Sequence, residues 1–302
     1  MSTTAAAPPV RAVLADAIAR LGRAGLSTAR QDAEWLLASR LGIERFALYL
    51  EPDRTLPPDV AERVHALIER RAGHEPLQHL LGFEDFRGLR LRVTPDVLIP
   101  RPETEGLVEW ALELLDAMSA DGGRAGAMSG PPLMVADIGT GSGAIACALA
   151  GARPAAEVVA VEASPAALAV AADNVRALGL EGRVRLLAGD LLAPLAAQAS
   201  RLAMIVANLP YLASAVIPTL PREVRDFEPR AALDGGPDGL GLLRRLVRAA
   251  PAVLRPGGRL VLEIGEEQAG ALASLMVAEG FTDIMSRRDL RGAERYITGA
   301  SP

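Results

Sequence analysis

Lysine is absent from this chain of 302 residues, so all 32 basic side chains are arginine. Schiff-base chemistry and a lysine-bearing phosphate loop are thereby excluded. Cysteine is nearly absent as well: Cys147 stands alone, has no partner for an internal disulfide, and reads as a small core residue among alanines. The opening segment MSTTAAAPPVRAVL lacks the basic-then-apolar order of a secretory signal. Half of the residues are apolar, yet no uninterrupted run of them reaches the length of a membrane span. A formal net charge of −5 supplies no general attraction to a polyanion, which argues against direct nucleic-acid binding through an overall field. The expectation is a soluble protein of a reducing, cytoplasmic compartment, long enough for one large domain and one small one.

Residues 10 to about 85 carry only helical patterns. Val10, Val13, Leu14, Ala17, Ile18 and Leu21 recur at helical spacing. Thr28 with Gln31 resembles a capping box opening a second helix that ends at Gly42, and Pro57-Pro58-Asp59 opens a third that closes near Gly73. From Gly82 to Pro100, short alternating pieces around Gly88 predict a β-hairpin. The expected partition is a helical bundle over 1–82, a hairpin linker over 83–100 and a second domain over 101–302. After a helix from Glu105 to Met118, the stretch Ser119–Pro132 reads as a polar, glycine-rich surface loop.

Beyond it, apolar runs of strand length alternate with helices: LMVADIG, a helix from Ser142, EVVAVE, a helix from Pro165 to Leu178, VRLLAGD, LAMIVAN, a helix from Gly239 to Leu254, GRLVLEIG, and a helix from Glu266 to Ala278. The alternation predicts an α/β domain with a parallel sheet covered on both faces, and the last twenty or so residues add two strands at an antiparallel edge.

The segment VADIGTGSGAIACALA places Gly139, Gly141 and Gly143 between a strand and a helix. Glycines there permit close backbone approach to a ligand, and the following helix start offers unpaired N–H groups. Asp137 before the loop suits the cationic amino end of a methionine-derived ligand, Glu162 ending the next strand can accept both hydroxyls of a ribose, and Asp190 ends the third strand where an adenine edge would fall. Their order on successive strand ends favours S-adenosyl-L-methionine over a nicotinamide cofactor. Taken singly, each has an ordinary explanation as a tight turn, a helix-start charge or a cap.

The fourth strand runs into Asn208-Leu209-Pro210-Tyr211. Pro210 fixes its own φ and holds Leu209 extended. A turn so held brings backbone carbonyls and the Asn208 side-chain oxygen toward one point, an acceptor set suited to an NH₂ group. An amide nitrogen is a poor nucleophile because its lone pair is delocalised. Accepting its hydrogens draws charge onto nitrogen and aims the lone pair at a methyl group, with Tyr211 available to pack on the planar group.

Four segments together resemble the protein-(glutamine-N5) methyltransferases that modify peptide chain release factors: DVLIPRPETE (Asp96–Glu105), DIGTGSGAIA (Asp137–Ala146), NLPY (Asn208–Tyr211) and FEPRAALDGGPDGL (Phe227–Leu240), the last backed by LVLEIG (Leu260–Gly265). HEPLQHLLG (His74–Gly82) fits the same pattern. The resemblance implies a class I, Rossmann-like, seven-stranded methyltransferase domain behind a small helical domain that helps dock the release factor. It implies methyl transfer from S-adenosyl-L-methionine to the glutamine amide of a Gly-Gly-Gln tripeptide. Carried onto this sequence, Gly139, Thr140, Gly141, Ser142, Gly143 and Glu162 would hold the cofactor with Asp190 and Leu191 beside its adenine. Asn208, Leu209, Pro210 and Tyr211 would receive the glutamine, Asn208 touching both ligands, while Arg101, Glu103 and Glu105 would line the edge of the site. The family commonly has proline where Leu209 stands. Asn-Leu-Pro-Tyr also resembles the adenine-N6 methyltransferases of ribosomal RNA, so that activity, and a non-catalytic cofactor-binding module, stand as alternatives.

His65, His74 and His79 make no zinc pattern with the single cysteine and read as surface or packing residues. The arginine pairs at 70–71, 244–245 and 287–288 read as solvated faces. The protein is expected to act as a monomer, without metal and without direct nucleic-acid contact.

Overall fold

A computed structural model describes residues 7–121, 133–198 and 201–302. By packing, the chain divides into two compact units: residues up to Phe83 with Pro221–Phe227, and Glu84–Leu220 with Glu228–Pro302. The segment expected as a linker thus packs within the larger unit, where Val93 and Val97 are buried with Ala167 and Val170. The smaller unit is completed by a segment from far downstream.

That smaller unit is helical. It holds α1 (Val10–Arg23), α2 (Ala29–Leu41), α3 (Pro58–Ala72) and α4 (Leu77–Leu81). On α1 the buried residues are Val10, Leu14, Ala17 and Leu21, one face at helical spacing. They pack with Leu36, Leu37, Val64 and Ile68, each such side chain contributing about 1.5–3 kcal/mol on burial. Gly42 ends α2 in the left-handed conformation at φ +64°. The capping box expected at Thr28 does not form: the Thr28 hydroxyl donates to Asp32 Oδ2 at 2.9 Å instead of capping the helix. Asp32 lies one turn further on, where its carboxylate is the stronger acceptor. Arg71 is buried in this unit, with Nε 2.7 Å from Asp32, Nη2 2.7 Å from Glu223, and Nη1 donating to the Glu75 carbonyl at 2.9 Å.

The larger unit starts at Glu84, within a hairpin of β1 (Phe83–Phe86) and β2 (Leu89–Arg92). Its turn residues Arg87 and Gly88 have φ +47° and +77°, the pairing a tight two-residue hairpin turn requires. Helix α5 spans Pro102–Asp121, so it starts and ends beyond the expected limits; the rest of the predicted glycine-rich loop lies outside the described residues. Then follow β3 (Leu133–Ile138), α6 (Ala144–Ala152), β4 (Ala156–Glu162), α7 (Pro165–Ala177), β5 (Val184–Ala188), β6 (Leu202–Ala207) and the short α8 (Arg222–Arg225), which belongs to the helical unit. The chain finishes with α9 (Gly241–Ala249), β7 (Leu254–Glu263), α10 (Ala269–Ala278), β8 (Thr282–Arg288) and β9 (Glu294–Ala300).

Helix α9 ends five residues before the expected Leu254. A 3₁₀ turn follows it at Ala250–Ala252, where Pro251 has no N–H to continue the α-helical ladder. Helix α6 begins at Ala144, after Gly143 caps it at φ +82°.

The seven strands lie in the order β5-β4-β3-β6-β7-β9-β8, with β3 to β7 parallel and β9 antiparallel to both neighbours. The connection order reverses between β3 and β6, which opens a crevice beyond their carboxyl ends. All six residues of β6 are buried. Because strand side chains alternate, Met204 and Val206 join the core with α5 and α6, while Ile205 and Ala207 join the one with α9 and α10. Buried on both faces, this strand holds its exit loop rigidly at the sheet rim. Cys147 is fully buried, as expected of a core residue.

Candidate active site

A cavity of about 230 Å³ opens at the carboxyl ends of β3, β4, β5 and β6. Three segments distant in sequence meet there: the glycine loop after β3, the Asn208–Pro210 turn after β6, and the stretch from Asp96 to Thr104, with Pro229, Ala231 and Ala232 closing the rim.

The glycine loop is shaped by backbone bonds. Gly139 and Thr140 both donate their N–H to the Val161 carbonyl, at 2.9 and 3.0 Å. Gly139, at φ +74°, has a second constraint: a Cβ on it would lie 2.8 Å from Leu209 Cδ2. The turn therefore needs glycine both for its backbone angle and for the leucine packed over it. Gly141 N donates to Glu162 Oε2 and Ser164 N to Oε1, each at 2.9 Å, which fixes the Glu162 carboxylate at the mouth of the cavity. Asp190 and Leu191 also line the cavity, and the Asp190 carboxylate meets Arg245 at 2.5 Å.

Asp137 takes a different place from the one read from sequence. It is fully buried beneath the loop and is absent from the cavity wall. Its Oδ2 accepts from the Thr140 hydroxyl at 2.5 Å and from Ala146 N at 3.0 Å, while Oδ1 is buried without a partner among the described residues. Burial pushes its pKa up to about 7, against those two hydrogen bonds. It braces the loop from behind.

The Asn208 turn is also held from behind. Asn208 Nδ2 donates to Thr104 Oγ1 at 3.0 Å, and the Thr104 hydroxyl donates to Glu263 Oε2 at 2.8 Å. With Nδ2 engaged, the arm of the Asn208 amide left for a ligand is the acceptor Oδ1. Asn208, Leu209 and Pro210 line the cavity, but Tyr211 does not. The Tyr211 hydroxyl donates to Glu263 Oε1 at 3.3 Å and its carbonyl accepts from Gln268 Nε2 at 2.8 Å. Burial and the neighbouring Glu263 raise the Tyr211 pKa. Through its hydroxyl and its carbonyl Tyr211 supports the turn. A Cβ on Gly239 would lie 2.1 Å from the Tyr211 carbonyl oxygen, which explains a glycine of the GGPDGLG stretch.

The three charged residues of the RPETE stretch part company. Arg101 lines the cavity and pairs with buried Glu228, which joins this stretch to FEPRAAL. Glu103 is not part of the cavity wall: its carboxylate lies 3.6 Å from Arg291 and its carbonyl accepts from the Tyr296 hydroxyl at 2.6 Å. Glu105 Oε1 accepts from the Arg87 N–H at 2.7 Å. Successive helical residues point about 100° apart, so the residue between the two glutamates, Thr104, is the one directed at the site. Sequence reading passed over Thr104, Glu228 and Glu263. The motifs contained all three, but only the register of β6 with β7, which pairs Ala207 with Leu262, puts Glu263 level with Asn208.

A doubly wound parallel sheet with a reversed β9, a glycine turn after its first strand and ordered carboxylates at the next two strand ends define a class I methyltransferase. Residues 12–82 match the family model described as the PrmC N-terminal domain, and residues 128–219 match the methyltransferase small domain. The chain is 43% identical to the release factor glutamine methyltransferase of Geobacter sulfurreducens over 92% of each chain. It is 46% identical to that of Moorella thermoacetica over 90% of each. The chain belongs to the release factor glutamine methyltransferase family. Among solved structures, the catalytic domain of hMettl16 in complex with an RNA hairpin is similar in fold, with a TM-score of 0.56 at 17% identity, covering 77% of this chain and 81% of that one. Among the described residues, no helix is long and apolar enough to cross a membrane.

Proposed function

We propose that this enzyme methylates the side-chain amide nitrogen of the glutamine in the Gly-Gly-Gln tripeptide of peptide chain release factors, using S-adenosyl-L-methionine. One observation carries the reading beyond family likeness: the Asn208 amide has its NH₂ arm engaged on Thr104, so it meets an incoming group as an acceptor. An acceptor selects a substrate donor such as NH₂ over a group that can only accept.

The residues present fit the cofactor. The left-handed turn at Gly139 and Gly141 lines the cavity with bare backbone, while a Cβ on Gly143 would press on Ala171 behind the loop; the carboxylate of Glu162 suits ribose hydroxyls, and Asp190 with Leu191 suits an adenine edge. Thr140 and Ser142 complete the loop, and Asp137 acts beneath it. When bound, S-adenosyl-L-methionine supplies an electrophilic sulfonium methyl. The protein's own part is positional. Asn208 Oδ1 would accept a hydrogen of the glutamine NH₂, draw charge onto its nitrogen and align the lone pair, while Leu209 and Pro210 hold the turn; as the N–C bond forms the methyl's bond to sulfur breaks, its electron pair staying on what becomes a neutral thioether, and the surplus nitrogen proton leaves to solvent. Alignment of this kind supplies up to about 7–11 kcal/mol of a barrier. Arg101 sits at the rim, where it guides the tripeptide.

The helical unit docks the release factor, supported by exposed Phe46, Tyr49 and Leu50 around one 3₁₀ turn. The enzyme works as a cytoplasmic monomer without direct nucleic-acid contact. The test is transfer of label from S-adenosyl-L-methionine to a release factor and to its tripeptide Gln→Ala form. A single methyl on the glutamine of the first and none on the second is expected; equal labelling of both overturns the site, and label in ribosomal RNA instead overturns the substrate.

A further inference from the structure

The buried pair behind the Asn208 turn has a direction. A threonine hydroxyl carries one hydrogen. At Thr104 that hydrogen goes to Glu263 Oε2 at 2.8 Å, so Thr104 Oγ1 meets the Asn208 amide, at 3.0 Å, as an acceptor. Thr104 and Glu263 are both buried, so water does not compete for these positions. The Tyr211 hydroxyl supplies a second donor to Glu263, at Oε1, so that each carboxyl oxygen has a donor of its own. Reversing the Asn208 amide would aim Oδ1 at a hydroxyl already committed to Glu263. It would also turn an NH₂ toward the cavity.

We propose that Thr104 and Glu263 are positioning residues that lock the Asn208 side-chain amide with its oxygen toward the substrate, so that the site accepts an amine-bearing group and repels a donor-blind one. The inference rests on the proposed glutamine reaction and deepens it. It states why a threonine lies between the two glutamates of this stretch and why a carboxyl that takes its hydrogen bonds from the Thr104 and Tyr211 hydroxyls is kept at the end of β7. In the wrong orientation the Asn208 NH₂ would face the substrate NH₂, donor against donor, and the turn would still be folded but unproductive.

The test uses the full-length enzyme with a release factor and S-adenosyl-L-methionine. Thr104→Val keeps the shape and removes the hydroxyl; it is expected to lower kcat/KM by about tenfold or more, as loss of a buried hydrogen-bond partner does. Binding of S-adenosyl-L-methionine, measured by calorimetry, should stay within about twofold, because Thr104 touches the cofactor loop through none of these bonds. Thr104→Ser should recover most of the rate. In an Asn208→Ala background, Thr104→Val should have no further effect, since the residue it orients is gone. Wild-type rates in Thr104→Val, or a full additive loss in the Asn208→Ala background, would overturn the inference. A second readout is independent of turnover: in wild type and Thr104→Ser one Asn208 side-chain amide proton should exchange slowly by NMR, and in Thr104→Val rapidly. A slow proton in a wild-type enzyme that leaves glutamine unmethylated would keep the positioning role and reject the substrate; a fast one in wild type would reject the positioning role itself.

Discussion

The helical unit and the methyltransferase unit both bury carboxylates, but Asp137 and Glu263 of the larger unit are held differently from Asp32 and Glu34 of the smaller one, whereas Glu228 at the cavity rim pairs with Arg101 as those two pair with their arginines. In the helical unit Asp32 meets Arg71 and Glu34 meets Arg45, each at 2.7 Å. In the larger unit Asp137 and Glu263 are as deeply buried, yet their partners are hydroxyls and one backbone N–H. Neutral donors offset less of the desolvation cost than a guanidinium does, and both groups have their pKa raised to about 7 by burial. Where the task is cohesion, charge is matched by charge. Where the task is to fix the direction of hydrogen bonds behind a cavity, the bonds come from neutral donors, and at Glu263 the nearby Arg295 acts through its charge.

The comparison breaks first at Arg71. Arg71→Leu leaves Asp32 buried without its cation, and a loss of about 3–5 kcal/mol is expected in denaturant unfolding of the helical unit. Adding Asp32→Leu should restore part of it. Binding of S-adenosyl-L-methionine to the larger unit should be unchanged in both, and a loss of that binding would show the two clusters to be coupled. On the other side, Asn208→Ala removes the proposed acceptor. Methyl transfer should fall by about 10²–10³-fold, the range seen when one transition-state hydrogen bond is removed, with cofactor affinity nearly intact; unchanged turnover would take Asn208 out of the mechanism. Smaller again is Gly139→Ala. A left-handed φ and a Cβ 2.8 Å from Leu209 Cδ2 together cost about 1–2 kcal/mol, read as roughly tenfold weaker cofactor binding. Leu209→Ala in the same chain should relieve the contact and recover only part of the loss, since the backbone angle stays strained.

The sequence was legible where one residue type answers one local need. Alternating apolar runs and helices announced the parallel sheet, Gly88 the hairpin turn, and Gly139 with Gly143 the loop. The Asn208 turn and the carboxylates Glu162 and Asp190 were likewise readable from their place at strand ends. Illegible parts depended on direction and register. Glu103 and Glu105 were expected at the site edge from the motif they stand in, whereas the cavity wall includes Thr104 between them and neither glutamate. Tyr211 was read by its ring, whereas its hydroxyl decides its place. Glu263 sits at the Asn208 level only because β6 pairs with β7 in one register, a long-range fact no local pattern carries. The return of Pro221–Phe227 to the helical unit is of the same kind, fixed by the Arg71–Glu223 pair.

The finest discrimination between the two kinds of buried charge is their response to pH. Glu263 is faced by Tyr211 from the turn after β6, Arg295 from β9, and Glu103 and Thr104 from the start of α5; burial outweighs the hydrogen bonds and Arg295 and raises its pKa from 4.5 to about 7. A carboxyl with a raised pKa binds its proton more tightly in the folded chain than in the unfolded one. Its contribution is therefore fully present below the unfolded value and is lost as pH rises through the folded value. Between about pH 4.5 and 7 this single group makes stability fall by up to about 1.4 kcal/mol per pH unit. Glu263→Gln cannot ionise, so its unfolding free energy should decline less steeply than wild type over that interval. Asp137 shifts in the same sense but is present in both proteins and cancels in the difference. Denaturant midpoints at half-unit pH steps measure it: parallel curves for the two proteins would mean that Glu263 ionises as an ordinary carboxylate, and that its acceptor role needs no shielding from solvent.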